Sequence, residues 1–380
     1  MTNDQKQTVV VTGIGCWTGL GNLTQSWYNL RQGKSSISLQ QPFLSFPPLP
    51  LSLIQEKPLF LQRLTPQVVK SALADANLVP PLPECGVVVG SSRGCQGEIE
   101  QLLREKREFV NWLEFFPHQG AIITAQIVGS ESAVLSPMAA CSTGIRAIAQ
   151  GYQLITSGQC EQVVAGAVET PVTPLTLAGF SKMGALAKTG CYPFDKQREG
   201  LVLGEGGAVV VLESLESAQA RKAQIYGEIT GFGFTSDAYH VSAPDPDYRC
   251  ASLAIKKSLE MSGMIPSEID FIHAHGTSTQ LNDQREAQLI QSLFPHDVAV
   301  SSTKGATGHT LGASGAIALA FTFKALQTQT LPPCVGLQES EFDLNLVQHP
   351  MQSEINAALI LSFGFGGQNG AIVIRRSISH

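Results

Sequence analysis

A cysteine in the segment SPMAACSTG, residues 136–144, stands where an apolar run passes into an amphipathic one. Cys141 is therefore predicted at a helix N-terminus, where unpaired N–H groups and the helix dipole favour a thiolate at neutral pH. The same N–H groups can hold an oxyanion. The chemistry indicated is nucleophilic catalysis, and the alternative is that Cys141 is a small buried hydrophobe.

Two histidines and a hydroxyl-rich turn follow an apolar run in FIHAHGTST, residues 271–279. Alternation along a strand places His273 and His275 on one face, which is also the arrangement of a paired-histidine metal site. Such a site needs a third ligand and an outer hydrogen-bond acceptor. Histidines satisfied by backbone groups are the alternative.

A lysine and a histidine share a glycine-rich loop in SSTKGATGHTLGASG, residues 301–315. Lys304 precedes the glycines, whereas a phosphate loop of the GK[ST] type places its lysine after them, so nucleotide binding is disfavoured. A cation near the imidazole of His309 biases that ring toward its neutral form. The alternative is a solvated lysine and a capping histidine.

Four glycines surround two phenylalanines in SFGFGGQNG, residues 362–370, directly after an apolar run. Such a loop can change conformation and can bring backbone N–H groups close to a ligand. An ordinary glycine turn is the alternative.

The elements that position these segments alternate between strand-like and helix-like patterns. Nearly continuous apolar runs predict strands buried on both faces. They cover residues 8–12, 86–89, 163–168, 208–212, 269–273 and 357–362. Helices are predicted over residues 144–157 and from the Thr65-Pro66 pair onward, with the proline at the first helical position. The alternation predicts an α/β fold with mainly parallel sheets, and the proline-rich residues 39–58 are predicted to form a surface excursion.

A weak internal repeat accompanies this alternation. Residues 227–231 lead into GFGF much as residues 9–12 lead into GIGC. An echo of this kind predicts a duplicated unit.

Composition limits the classes of function. The chain has 380 residues, 43% of them hydrophobic and 15% charged, with a formal net charge of −6. These values indicate a globular chain and disfavour capture of nucleic acid or of an anionic membrane by overall charge. The eight cysteines show no CxxC pair or zinc-finger spacing, which predicts reduced thiols in a cytoplasm. No run approaches a membrane span, and the first apolar run is too short for a signal peptide.

Taken in order, ACSTG, HGTST, TKGATGH and FGFGG resemble the motifs of β-ketoacyl-acyl carrier protein synthases of the synthase II type. The resemblance covers nearly the whole chain, including residues 194–206 and 237–240, and is loosest between residues 39 and 130. It implies a thiolase-like fold, with two similar α/β halves in a five-layered αβαβα sandwich. By resemblance, residues 1–222 form the half with the nucleophilic cysteine, and residues 223–380 form the half with the His/Lys/His residues.

The resemblance also implies the activity of the chain. Cys141 would take an acyl chain from the phosphopantetheine arm of an acyl carrier protein. His275 and His309 would then assist decarboxylation of a malonyl thioester, and Lys304 would help keep the site in the required state. The product would be a 3-oxoacyl-carrier protein in fatty acid, specialised lipid or polyketide synthesis.

Further site residues and partners are implied in the same way. The N–H groups of Cys141 and Phe365 would form the oxyanion hole, Phe365 would be the gating side chain, and Thr277 and Thr279 would bind the phosphopantetheine arm. Two neutral imidazoles that donate N–H groups would stabilise the enolate formed by decarboxylation. The resemblance implies a homodimer that binds no metal and no cofactor of its own, with His273 as a structural neighbour. The cysteines and the net charge predict a cytoplasmic protein that binds no nucleic acid and no membrane.

Two departures from the family pattern bear on the function. Ala318 stands where fatty acid members usually carry a glutamate that pairs with the catalytic lysine, although polyketide-type members also lack it. Tyr192 replaces an arginine expected to dock the carrier protein, and Glu56 stands where positive charge is expected near Lys57. A substitute basic patch is predicted from Arg63, Lys70, Arg104, Lys106 and Arg107.

Two other functions stay open beside the condensing enzyme. A non-catalytic partner that sets another synthase's chain length is one, although such partners usually lose the nucleophile that Cys141 supplies. A thiolase acting on coenzyme A esters is the other. It is disfavoured because thiolases use a second cysteine near the C-terminus, and Cys334, the last cysteine, lies outside the glycine loop.

Overall fold

The computed structural model describes residues 7–108 and 110–377. The strands are β1 (Val9–Thr18), β2 (Gly21–Asn22), β3 (Ser38–Gln40), β4 (Leu49–Leu51), β5 (Gly86–Gly90), β6 (Val134–Leu135), β7 (Gln162–Glu169), β8 (Gly206–Ser214), β9 (Gly227–Ser236), β10 (Phe271–His273), β11 (Ala299–Ser301), β12 (Thr330–Leu331), β13 (Asn345–Leu346), β14 (Met351–Gln352), β15 (Ala357–Gly364) and β16 (Gln368–Arg375). The helices are α1 (Leu23–Arg31), α2 (Leu61–Asp75), α3 (Gln96–Arg104), α4 (Gln119–Val128), α5 (Thr143–Thr156), α6 (Pro174–Lys182), α7 (Leu215–Ala220), α8 (Arg249–Ser262), α9 (Gln280–Leu293), α10 (Lys304–Thr307) and α11 (Ser314–Thr328). Among the described residues, no helix is long and apolar enough to cross a membrane.

The main sheet repeats one strand order in two halves. From the edge inward, the first half runs β6-β5-β7-β8-β1 and the second runs β11-β10-β15-β16-β9, with β13 beyond β11. If the five strands of each half are numbered along the chain, both halves have the spatial order 3-2-4-5-1. The halves join where Val9, Val10 and Val11 of β1 pair antiparallel with β9.

The prediction of mainly parallel sheets was wrong, because the sheet is mixed. Pairs β5–β7 and β10–β15 are parallel, whereas β7–β8, β1–β8, β9–β16 and β15–β16 are antiparallel. Between β15 and β16 only residues 365–367 intervene, and a connection this short permits only an antiparallel pair. The glycine segment FGFGG is thus the turn of a hairpin.

Two long helices fill the space between the sheet halves. Helix α5 packs against β5 and β7, helix α11 packs against β8 and β15, and the two helices contact each other. On the outer faces, α2 covers β1 and β8, while α8 covers β9 and β16. The layers are therefore helix, sheet, helix, sheet and helix. This confirms the five-layered αβαβα fold predicted from the resemblance.

The sequence echo has a physical cause at the contacts between strand and outer helix. A Cβ atom placed on Gly15 of β1 would overlap the carbonyl oxygen of Val68 in α2. A Cβ atom on Gly233 of β9 would overlap the carbonyl oxygen of Ala254 in α8 in the same way. Each half thus needs a glycine where its helix crosses its first strand. The division after residue 222 lies between α7 and β9 and stays a prediction.

Two local predictions differ from the structure. Helix α2 begins at Leu61 rather than at the Thr65-Pro66 pair, and Pro66 lies inside it, because Leu61 and Leu64 are already buried in the core. The predicted surface excursion over residues 39–58 includes the antiparallel strands β3 and β4. Part of this segment is core, since Leu51 and Leu53 pack in the apolar cluster that contains Cys141.

We predict that Gly233→Ala destabilises the protein by roughly 1–3 kcal/mol, because the added methyl group must push α8 away from β9. Gly179→Ala is the matched control: Gly179 lies in α6 with no atom near the added Cβ, and alanine is the better helix former. Denaturant unfolding of both variants measures the difference. Equal midpoints for the two variants would contradict the close-crossing explanation.

Candidate active site

Cys141, the predicted nucleophile, lies on a strained turn directly before α5. Ala140 has φ +47°, in the left-handed region that an alanine rarely adopts. Ser142 is the N-cap residue, and α5 begins at Thr143. The hydroxyl of Thr143 lies 2.7 Å from the Ala140 carbonyl oxygen and 2.9 Å from the Ala139 nitrogen, which fixes this turn. The structure confirms the predicted helix N-terminus and buries Cys141 to 7% exposure.

Hydrogen bonds tie this turn to the hairpin of the second half. The Ser142 hydroxyl lies 2.8 Å from the Ser362 carbonyl oxygen and 2.6 Å from that of Gln368. The Ser362 hydroxyl in turn donates to the Cys141 carbonyl oxygen at 2.9 Å. A Cβ atom on Gly364 would lie 3.0 Å from the Cys141 nitrogen, so the glycine keeps the hairpin backbone against the nucleophile.

Two imidazoles from the second half lie close to the Cys141 sulfur. The rings of His275 and His309 lie 5.3 Å apart between centroids and are almost perpendicular. Nδ1 of His309 accepts the Leu311 backbone N–H at 3.1 Å, with the Ser314 hydroxyl 2.9 Å away. A backbone N–H can only donate, so the ring proton of neutral His309 is on Nε2.

Lys304 sets the same tautomer at His275. Its ammonium group donates to the His275 carbonyl oxygen and lies 3.4 Å from Nδ1 of that ring. While Lys304 is protonated, Nδ1 of His275 is the acceptor and Nε2 carries the proton. Both rings therefore offer an Nε2–H donor.

Burial keeps both rings neutral. It lowers the pKa of His275 and of His309 well below the usual value, and the nearby charge of Lys304 lowers each pKa further. The prediction that a neighbouring cation favours neutral imidazoles is confirmed, although burial contributes more. At neutral pH both histidines are hydrogen-bond donors without positive charge.

The expectation of a thiolate at neutral pH was wrong. Burial raises the pKa of the Cys141 thiol to about 11 and outweighs the lowering effects of Lys304, of the Phe365 backbone N–H and of Arg93. The helix N-terminus stabilises a thiolate, but burial removes the water that would stabilise it more. The loss of water therefore decides the direction of the pKa shift. With this pKa, the Cys141 side chain is a protonated thiol at neutral pH.

Lys304 has no ion pair among the residues that the structure describes. Ala318 is buried in α11 and supplies no charge, in agreement with the predicted departure. Burial lowers the pKa of Lys304, and the negative charge of Glu286 is the largest effect that opposes this shift. Glu286 accepts the backbone N–H groups of His275 and Gly276 at 2.6 and 2.7 Å.

Sequence reasoning missed the buried acids of α9. Glu286 holds the turn that follows His275, and Asp283 holds the same turn through the Ser278 N–H at 3.1 Å. Both side chains are buried, yet the segment QLNDQREAQLIQ resembles a solvated helix in composition. Asp283 and Glu286 are three residues apart, which places both acids on one helix face, and this spacing could have indicated their shared role from the sequence.

One cleft of about 110 Å³ brings the predicted reactive and binding residues together. It is lined by Cys141, His275, His309, Thr277, Thr279 and Phe365, and also by Phe180. The hydroxyls of Thr277 and Thr279 lie 2.8 Å apart, because Ser278 between them has φ +67°. Phe365 is 36% exposed and stacks on Phe180 with 5.8 Å between ring centroids. Lys304 lies behind His275 and does not line this cleft.

A metal-binding arrangement differs from the one considered in the sequence. The ligand atoms of Cys141, His275 and His309 lie within 4.8 Å of one another, and a thiolate with two imidazoles is a donor set that zinc accepts. His273 does not belong to this group. Its Nε2 lies 3.2 Å from the Thr303 hydroxyl, and burial lowers its pKa to about 3.

We predict that alkylation of Cys141 by iodoacetamide accelerates about tenfold per pH unit from pH 7 to pH 10. A raised thiol pKa makes the thiolate scarce at neutral pH, and its fraction grows until the pH reaches that pKa. Peptide mass spectrometry measures the rate, with free cysteine as the control that levels off above its usual pKa of about 8.5. A rate that is already constant between pH 7 and pH 8 would contradict the protonated resting thiol.

Comparison with known proteins agrees with this geometry. The model of the β-ketoacyl synthase N-terminal domain matches residues 57–218, and that of the C-terminal domain matches residues 226–338. The chain is 34% identical to 3-oxoacyl-[acyl-carrier-protein] synthase 2 of Synechocystis sp., over 99% of this chain and 100% of the relative. It is 35% identical to the protein of that name from Coxiella burnetii, over 98% and 99%.

Solved structures give the same family. A type II polyketide synthase ketosynthase, in complex with its acyl carrier protein and bound to the hexaketide, superimposes with a TM-score of 0.91 at 27% identity, covering 98% of this chain and 100% of that one. A β-ketoacyl synthase from Burkholderia phymatum gives 0.89 at 26% identity, with the same coverage. Matched in sequence along nearly its whole length and in fold by these structures, the chain belongs to the β-ketoacyl synthase family of condensing enzymes.

Proposed function

We propose that the protein is a condensing acyltransferase. It joins an acyl group held as a thioester on Cys141 to a malonyl group on a carrier protein, and the product is a 3-oxoacyl-carrier protein. The observation that carries the proposal is the meeting of one thiol and two neutral imidazoles in a single cleft. The names of the curated relatives support the same reaction.

The first half-reaction is acyl transfer to Cys141. Its sulfur attacks the carbonyl carbon of the acyl-pantetheine thioester, and the N–H groups of Cys141 and Phe365 hold the oxyanion. The bond from that carbon to the pantetheine sulfur then breaks, and the leaving thiolate takes up the proton that Cys141 gives up. The effect of the Phe365 N–H on the Cys141 pKa supports this oxyanion hole.

The second half-reaction is decarboxylative condensation. Nε2–H of His275 and of His309 donate to the thioester carbonyl oxygen of the malonyl group. The bond to its carboxylate breaks, carbon dioxide leaves, and the electron pair becomes an enolate that the two donors stabilise. The enolate carbon attacks the acyl carbonyl on Cys141, the carbon–sulfur bond breaks, and the released thiolate takes up a proton from water.

A carrier protein is the proposed partner. Thr277 and Thr279 would bind its phosphopantetheine arm, since their hydroxyls line the cleft. The five basic residues predicted to replace the missing docking arginine are all exposed. Tyr192 is half-buried with its ring against Gly190 and supplies no charge there.

A condensation rate that does not fall with rising salt would contradict electrostatic docking of the carrier.

We also propose that the protein acts as a homodimer in the cytoplasm. Exposed apolar side chains on the N-terminal half, among them Trp112, Leu113, Leu135 and Met138, support association of two copies. The eight cysteines are free thiols, which supports a reducing compartment. A monomer at micromolar concentration in sedimentation equilibrium would contradict the dimer.

The competing function is that of a non-catalytic partner subunit. The retained thiol of Cys141 and both imidazoles weigh against it, because a chain-length partner does not need them. An active protein that loses condensation in Cys141→Ala, with no other synthase added, excludes this alternative.

We predict that the half-reactions separate by mutation. His275→Ala and His309→Ala should each slow release of labelled carbon dioxide from malonyl-carrier protein by roughly 10²–10³-fold, since each variant loses one enolate donor. Acylation of Cys141 should change much less. Lys304→Ala should also lower decarboxylation more than acylation, because it acts through His275.

Carbon dioxide counting and intact-protein mass spectrometry measure the two steps. Cys160→Ala, which removes a buried thiol outside the cleft, is the control expected to keep both. No condensation with any carrier tested, despite folded protein, would overturn the proposed function. Equal losses in both steps would overturn the assigned roles.

A further inference from the structure

Among the described residues, Arg93 has a buried side-chain N–H group without a hydrogen-bond acceptor. Arg93 lies in the loop that follows β5, and its Nε is buried without a hydrogen-bond partner. Within the described part of the chain, its guanidinium also makes no ion pair. The guanidinium makes a cation–π contact with Phe180, whose ring centroid lies 5.8 Å from Cζ of Arg93.

The backbone around Arg93 is held firmly. The buried carboxylate of Glu169 accepts the N–H groups of Ser92 at 2.7 Å and of Arg93 at 3.0 Å. It also accepts the N–H of Gly312 at 3.0 Å, from the segment that follows His309. Because one carboxylate ties these segments together, the backbone of Arg93 is fixed relative to the candidate active site.

Arg93 stands close to the acyl attachment point. Phe180 contacts Arg93, stacks on Phe365 and lines the cleft of Cys141. The positive charge of Arg93 also lowers the pKa of the Cys141 thiol. Arg93 itself does not line this cleft, so an acyl chain on the Cys141 sulfur would meet the guanidinium only by extending past the Phe180 side chain.

The wall around Cys141 is apolar, and half-buried Arg93 contacts it through Phe180. Cys141 packs in an apolar cluster with Val172, Leu177, Phe180, Leu201, Leu203 and Leu311. A wall of this kind suits a plain hydrocarbon chain, whereas a guanidinium N–H without an acceptor costs free energy. The contact with Phe180 offsets part of this cost. An oxygen atom on the ligand would supply the missing acceptor.

We propose that Arg93 determines substrate specificity by donating to an oxygen atom on the acyl chain held by Cys141. The acyl group would carry a ketone or a carboxylate rather than being a plain alkyl chain. This inference rests on the proposed function, because it concerns the acyl group of that reaction.

The test compares acyl groups of matched length in the full-length protein. Pantetheine thioesters of butanoyl, 3-oxobutanoyl and succinyl form one series; hexanoyl, 5-oxohexanoyl and adipoyl form the other. Intact-protein mass spectrometry gives the acylation rate of Cys141 with each. We expect the wild type to favour an oxygen-bearing acyl group over the plain one by about tenfold in at least one series, as for a hydrogen bond to a charged donor.

Two variants test whether Arg93 causes the preference for oxygen-bearing over plain acyl groups. Arg93→Leu keeps an aliphatic side chain against Phe180, and it should lose the preference or reverse it in favour of the plain acyl group. Arg93→Lys should keep a preference for carboxylate, which needs only a positive charge, and lose most of a preference for ketone. The preferred arm of the series thus identifies the oxygen group. Arg376→Leu, on the exposed C-terminal segment, is the control that should leave the ratio unchanged.

The ratio separates this inference from simpler roles. If Arg93 only orients Phe180 or activates the thiol, Arg93→Leu will slow all acyl groups by the same factor, and the proposal is overturned. A wild type that prefers plain acyl groups also overturns it, while condensation itself stands. If no thioester acylates folded wild-type protein, the proposed function fails and this inference with it.

Discussion

The active site depends on the hydrogen bonds that join the nucleophile turn to the β15–β16 hairpin. Through them, Ser142 and Ser362 hold the end of α5 in one half against a hairpin of the other. Cys141 comes from the first half, whereas His275 and His309 come from the second. Without this seam the thiol and the two imidazoles would not share one cleft. Helices α5 and α11 pack against each other between the two halves that these hydrogen bonds join.

Exclusion of water then sets the protonation states. Burial alone would make a thiol, two imidazoles and a lysine all prefer their neutral forms. Cys141, His275 and His309, the groups proposed to contact the substrate, are all neutral at neutral pH. The buried carboxylates of Glu286 and Glu169 accept backbone N–H groups, from His275 and Arg93 respectively, instead of forming ion pairs. Neutral donors in a fixed backbone are what enolate stabilisation requires.

Local patterns predicted much of this architecture, and long-range contacts account for what they missed. Helix α5 and the strands before each motif agree with the apolar periodicity, because burial alone decides those positions. The mixed sheet could not be predicted, since strand direction depends on which strands pair. The raised pKa of the Cys141 thiol could not be predicted either. The sequence indicates the helix end, but it does not show how deeply the thiol is buried. Glu286 and Arg93 were missed for the same reason: their meaning comes from residues far away along the chain.

The proposed reaction requires that Cys141 carries the acyl group as a thioester. Peptide mapping by mass spectrometry, after incubation of the purified protein with hexanoyl-pantetheine, tests it most directly among the eight free thiols. We predict one acyl adduct, on the peptide that contains Cys141, that is removed by hydroxylamine and absent in Cys141→Ala. An adduct on another cysteine that survives in Cys141→Ala, or no adduct on folded protein with any acyl thioester, would contradict this role of Cys141.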